Sequence, residues 1–351
     1  MASTRFGFGL WTIMHQGADP FGAPTRRRPD ALEVIAGLAA RGVHAFELHA
    51  EDLIPHGRPA PERDRRIREA RVLMQDTGIA CNACGSDLFT DSRFKDGGLA
   101  SSDAAVRREA LARYTAAIDV GHLLGAPLFN IWGGRDGAEV DAGRSPIDAL
   151  RWLRDGFNAL AAYIRDQRYA MRLSIEPKPN EPRGDLYLAT VGHALALIAT
   201  LDHPEGVGVV PELAHALMAG LHPAHEVAHA LHAGKLFGIH LNAQRPLRFD
   251  QDLRFGAANL KDSFFVVKLL EDVRWPGVRT FDAHPLRTTG DEAVWEFVTG
   301  CMRAYQILTD KVVQFGEDPE VQALLAAGVP AYERLDHVLF EILTGVRRAG
   351  G

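Results

Sequence analysis

Eight times along the 351-residue chain a short apolar run gives way to a longer stretch with helical periodicity. The runs at 6–12, 45–48, 79–83, 127–132, 172–177, 207–211, 236–242 and 279–284 read as strands. The stretches 32–41, 63–76, 104–124, 147–167, 190–201, 223–232, 257–273 and 291–315 read as helices. Strands that alternate with helices pair in parallel, and eight such units predict an α/β fold, a (β/α)8 TIM barrel closed on itself. The competing architecture, an open doubly wound sheet, carries a G-x-G-x-x-G turn after its first strand. That turn here reads Met14-His15-Gln16-Gly17-Ala18-Asp19, which favours the barrel. The barrel domain takes residues 1–316. Residues 317–351 read as a short C-terminal helical arm, either an oligomerisation element or a cap.

Composition removes several classes of function. The net charge is −6, and the one dense basic run is Arg26-Arg27-Arg28, so nucleic-acid binding is not expected. There is no stretch of 18 apolar residues and no signal-peptide pattern, so neither a membrane span nor secretion is expected. Three cysteines cannot make a disulfide framework, which points to a reducing, cytoplasmic setting. Cys81 and Cys84 have redox or zinc spacing, but on a strand they point to opposite faces and read as structural. The unusual count is histidine, at 15.

In a barrel of this kind the active site forms at the C-terminal ends of the strands. Those ends carry Trp11 and His15; His49 and Asp52; Asp87 and Phe89; Trp132; Glu176 and Lys178; Glu212 and His215; His240, Asp250 and Asp252; and Asp282 and His284. So many carboxylates at one mouth cannot all ionise without compensation, and divalent cations supply it. Asp250-Gln251-Asp252 would place two carboxylates on one side of an extended segment. Glu212 and His215 stand one helical turn apart. Lys178 lies two residues past Glu176, on the same strand face, where it can stabilise a developing oxyanion. His49 beside Asp52 has the make-up of an acid–base pair. Trp11, Phe89 and Trp132 supply aromatic walls.

Several long motifs resemble the xylose (glucose) isomerase family in its shorter, actinobacterial form. They are Phe8-Gly9-Leu10-Trp11-Thr12, Asp19-Pro20-Phe21-Gly22, Asp52-Leu53-Ile54-Pro55, Phe94-Lys95-Asp96-Gly97-Gly98, Trp132-Gly133-Gly134-Arg135, Glu176-Pro177-Lys178-Pro179-Asn180-Glu181-Pro182-Arg183-Gly184-Asp185 and Asp250-Gln251-Asp252-Leu253-Arg254-Phe255-Gly256. The resemblance runs from Phe6 to about Glu320. It implies aldose–ketose isomerisation by a 1,2-hydride shift, with two divalent ions (Mn, Co or Mg) and a sugar or polyol-like substrate. It implies that Glu176, Glu212 and Asp282 hold the first ion, and that Glu212, His215, Asp250 and Asp252 hold the second. His49 becomes the ring-opening histidine, oriented by Asp52, and Lys178 the lysine that bonds the carbonyl oxygen. Trp11, Phe89 and Trp132 line the pocket. The resemblance also implies that Phe21 reaches into a neighbouring subunit of a homo-oligomer, dimer or tetramer.

The chain also departs from the family. His240 stands in place of an aspartate ligand of the first ion, and His284 in place of a lysine. Asp87, His15 and Gly85 replace an asparagine, a tryptophan and a threonine near the substrate. Five carboxylates and two divalent ions leave a charge of −1, where six would leave −2. The first ion should then be the stronger Lewis acid, with Mn²⁺, Co²⁺ or Fe²⁺ favoured over Mg²⁺. The set Glu176, Glu212, His240 and Asp282 also resembles the single-metal site of ketose 3-epimerases. Three readings therefore stand beside one another: an isomerase with altered substrate or metal preference, an epimerase-like enzyme working by proton transfer, and a silent sugar-binding descendant. Oxygen chemistry at an iron bound by His240 is disfavoured by the crowded coordination sphere.

Overall fold

The computed structural model describes residues 4–347. Eight parallel strands form the sheet: β1 Phe6–Gly9, β2 Ala45–His49, β3 Ala80–Gly85, β4 Leu128–Trp132, β5 Arg172–Glu176, β6 Val207–Val209, β7 His240–Leu241 and β8 Arg279–Phe281. Each strand pairs with its sequence neighbour except β6 with β7, and β1 also pairs with β8. Parallel bridges at Val209–Leu236 and Glu212–His240 join β6 to β7 and close the barrel. The principal helices α1 Ala31–Ala39, α2 Ala60–Thr77, α3 Ala104–Leu123, α4 Pro146–Asp166, α5 Val191–Ile198, α6 Pro223–His232, α7 Leu260–Asp272 and α8 Val294–Glu317 follow the strands. Local chemistry starts several of them. Asp30, Asp103, Ser145 and Thr190 accept hydrogen bonds from first-turn amides.

Two strand readings are corrected. The run 6–12 is extended only to Gly9; Leu10–Met14 is a short helix with Trp11 on it. An unbroken apolar run does not distinguish a strand from a buried helical turn. The run 236–242 keeps regular pairing only at His240–Leu241, because its earlier part meets β6 through the single Leu236 bridge.

Strand β1 alternates Phe6, Gly7, Phe8 and Gly9, and both phenylalanines are buried. A Cβ on Gly7 would lie 2.8 Å from Val278 Cγ1 and 3.2 Å from Thr280 Oγ1. The missing side chain leaves room for groups on β2 and β8 to meet across β1.

Beyond α8, helices Pro319–Ala327 and Tyr332–Thr344 fold back on the same chain. Val321, Val338, Leu339 and Ile342 are buried there, and Arg347 pairs with Asp318 and Glu320. The basic run is dispersed. Arg26 is buried and donates to the carbonyls of Leu286 and Pro285, while Arg27 pairs with Glu33 and Arg28 with Asp52. No helix among the described residues is long and apolar enough to cross a membrane. All three cysteines are free and buried.

Candidate metal and sugar site

A cavity of about 280 Å³ opens at the C-terminal mouth of the barrel. Trp11, His15, Glu47, His49, Phe89, Trp132, Glu176, Lys178, Glu212, His215, Asp250, Asp252, Asp282 and His284 line it, so most of the residues expected at the strand ends converge. His240 lies beneath, fully buried.

Two groups of donors stand side by side. Glu176, Glu212, His240 and Asp282 bring one ligand atom each within 4.8 Å of one another, and Glu212, His215 and Asp250 do the same. Register and capping explain the juxtaposition. Glu212 is bridged to His240 across the barrel seam. It also stands at the N-cap position of the helix Leu213–Met218, whose first turn returns His215 Nε2 to 3.3 Å from Glu212 Oε1.

The acids crowded at this mouth act on one another and on the nearby imidazoles and ammonium. Burial, then the charges of Asp252, Asp250, Asp282 and Glu176, push the Glu212 carboxyl well above its usual range. Asp252 is raised by burial and by Asp250. Burial also works against ionised Glu176, but His240 and His215 outweigh it and hold its carboxyl low. At Asp250, His215 and Lys178 overcome burial in the same way.

The donor set fits a divalent cation. His240 Nδ1 lies 3.2 Å from both Glu176 Oε2 and Asp282 Oδ2, yet makes no hydrogen bond with either. His215 Nδ1 and Asp250 Oδ1 are likewise buried without partners. Carboxylates with imidazoles suit first-row divalent ions.

The neighbouring side chains hold these donors in place. Asn130 Nδ2 donates to Glu176 Oε2 at 2.7 Å, and Trp11 Nε1 donates to Asp282 Oδ1 at 2.6 Å. Asn242 Nδ2 donates to Glu212 Oε1 and to Asp252 Oδ1, both at 2.8 Å. Asp252 stands outside the second group of donors. The segment 250–252 is not extended, because Asp252 has φ of +44° and its carboxylate turns to Asn242.

Other expectations shift as well. Lys178 Nζ donates to Asp250 Oδ2 at 2.7 Å and sits 4.9 Å over the Trp132 ring. Asp52 Oδ2 accepts from the His49 backbone N–H at 3.0 Å, while the imidazole Nδ1 is 3.6 Å away. Asp52 thus fixes the chain at His49 more directly than it fixes the ring. The ring is held by stacking on Trp11 at 4.7 Å and by the edge contact with Phe89. Asp87 is outside the cavity lining and accepts from Thr90 Oγ1. Phe21 is 98% exposed at the Asp19–Gly22 turn. His284 stacks on His15 at 4.1 Å and 4°, and Arg26 ties the two loops together.

One buried acid was missed from sequence. Glu47 on β2 accepts from Thr280 Oγ1 at 2.6 Å and Asn82 Nδ2 at 2.7 Å on one oxygen. Its other oxygen is 3.0 Å from His240 Nε2. Burial opposes its ionisation, but His240, Thr280 and Asn82 hold the carboxyl below its usual range. The signal was its place two residues before His49, on the same strand face.

Comparison with known proteins agrees with this architecture. The xylose isomerase-like TIM barrel family matches residues 35–297. A protein named xylose isomerase from Thermus thermophilus is 51% identical over 323 residues, covering 92% of this chain and 84% of the relative. Among solved structures, a D-tagatose 3-epimerase-like protein superposes with TM-score 0.64 at 15% identity, covering 88% of this chain and 100% of the other. A xylose isomerase domain protein from Alicyclobacillus acidocaldarius gives TM-score 0.60 at 13% identity, covering 87% and 100%. At such identities the two structures speak for the fold alone. The profile match and the half-identical relative together make this chain a member of the xylose isomerase-like TIM barrel family.

Proposed function

We propose that the chain is a divalent-metal-dependent aldose–ketose isomerase that works by a 1,2-hydride shift, with a substrate or metal preference altered from that of its relatives. The observation that carries this reading is the convergence of two adjoining donor groups with His49 and Lys178 on one cavity. When bound, the cations act as Lewis acids on the oxygens of the sugar. Glu176, Glu212, His240 and Asp282 would hold the first, and Glu212, His215 and Asp250 the second, with Asp252 at its edge. His49, stacked on Trp11, exchanges a proton with the ring oxygen as the sugar opens. Lys178 donates to the carbonyl oxygen as charge develops there, and Asp250 aims its ammonium. Trp132 and Phe89 exclude water from the carbon chain. The imidazole of His240 in the first group favours Mn²⁺ or Co²⁺ over Mg²⁺. Exposed Phe21 suits entry into a neighbouring subunit's site in a dimer or tetramer.

The same three carboxylates and one imidazole support a second reading, a ketose 3-epimerase working by proton transfer. One experiment separates the two. Aldoses and ketoses are incubated with the Mn²⁺-loaded protein in deuterated water. An aldose–ketose pair free of solvent deuterium supports the hydride shift; deuterium at the inverted carbon of a ketose supports the epimerase. No turnover of either class, with no Mn²⁺ bound, leaves the sugar-binding descendant.

A further inference from the structure

The least expected polar contact in the barrel joins Glu47 to His240, residues 193 apart in sequence and both buried. An ionised carboxylate only accepts hydrogen bonds, so His240 Nε2 is the donor across their 3.0 Å contact. That commits Nε2 to its proton and leaves Nδ1 as the nitrogen facing Glu176 and Asp282. Glu47 is itself fixed. Its Oε1 receives Thr280 from β8 and Asn82 from β3, and Gly7 leaves the passage across β1 through which Glu47 and Thr280 meet. Nothing else in the chemistry of the cavity needs a carboxylate this deep.

We propose that Glu47 is a positioning residue of the metal site, selecting the Nε2–H tautomer of His240 so that the Nδ1 lone pair is presented to the first cation. The proposal rests on the reading of His240 as a ligand. A carboxylate behind a ligating imidazole fixes ring orientation and tautomer and raises ligand basicity. The imidazole and the acid behind it then form one unit. The negative charge remains in the site, one ring further from the cation.

The substitution Glu47→Gln tests this sharply. Thr280 and Asn82 both donate to the Oε1 position, so the amide oxygen settles there and the amide N–H₂ faces His240 Nε2. The ring must then accept on Nε2 and carry its proton on Nδ1, toward the cation. Metal-free parent, E47Q, H240A and H215A are titrated with Mn²⁺ by calorimetry. Their Co²⁺ forms are examined by proton NMR for the exchangeable, paramagnetically shifted N–H of a cobalt-bound imidazole. In E47Q the first-site affinity is expected to fall by about 10–100-fold, with loss of the signal that H240A also removes. The binding event that H215A removes is expected to remain, which also reports that E47Q is folded. Thr280→Val removes the 2.6 Å bond to Glu47 while keeping its charge, and is expected to weaken first-site binding in the same direction. It carries the test if E47Q does not fold. Unchanged first-site affinity and an unchanged His240 signal in the folded variant overturn the role of Glu47, provided H240A loses both. If H240A binds both cations like the parent, His240 is not a ligand, and the metal reading of this residue falls together with this proposal.

Discussion

Trp11 Nε1 donates to Asp282 Oδ1 at 2.6 Å, so a wall of the cavity is bonded to a member of the first donor group. Trp11→Phe keeps an aromatic surface against His49 and removes this one donor. The first Mn²⁺ should bind about tenfold more weakly, at the low end of what losing such a supporting bond costs, with the second event unchanged. Calorimetry measures both, and equal affinities in parent and variant would show that the indole serves only as a wall.

Gly7→Ala should be costly despite adding one methyl group. The new Cβ would press on Val278 and Thr280, both of which are buried. Overpacking of this kind costs about 1–3 kcal/mol. For a domain of this size that lowers Tm by several degrees. Thermal unfolding followed by circular dichroism tests this; a Tm equal to the parent's would mean that the strand can shift.

His15 gives the folded protein a specific acid sensitivity. Burial, the stacked His284 and Arg26 lower its pKa to about 4 from an ordinary 6.5. The unfolded chain therefore binds the proton more readily between those values. The stability His15 contributes is complete above about pH 6.5 and is lost as pH falls toward 4. His15→Phe keeps the stack and removes the titration. The difference in unfolding free energy between parent and variant should shrink or change sign as pH falls through this window. A difference independent of pH would contradict the assignment.

Cation binding should stabilise the protein measurably. Each site saturated at a hundredfold its Kd adds about 2.7 kcal/mol. Mn²⁺ should raise Tm, a chelator should reverse the rise, and H240A and H215A should each remove part of it. A Tm indifferent to Mn²⁺ in the parent chain would count against both sites.

The barrel was legible because each strand is a short apolar run bounded by turns, and because strand–helix alternation admits few closed architectures. The site was legible because the strand ends gather at one mouth, which is why Glu176, Glu212, His215, Asp250 and Asp282 meet as expected. What escaped lies off that rim. Glu47 sits two residues before His49 on the same strand face, below the strand end that a reading of the rim takes in. Asp87 occupies a strand end but turns into the Leu88–Thr90 helical turn, where Thr90 takes its carboxylate. The bond of Trp11 to Asp282 depends on the helix that begins at Leu10, and apolar patterning does not announce that helix.

The joint between Val207–Val209 and His240–Leu241 has no continuous ladder; among the described residues two isolated bridges complete the circle there. One of those bridges is Glu212 to His240, both members of the first donor group. A cation gripped by both would act as a rivet through the seam. Loading the site and fastening the fold would then be a single mechanical event, and the amides of Phe237 and His240, bonded across the joint to Val209 and Pro211, are where hydrogen exchange should slow first.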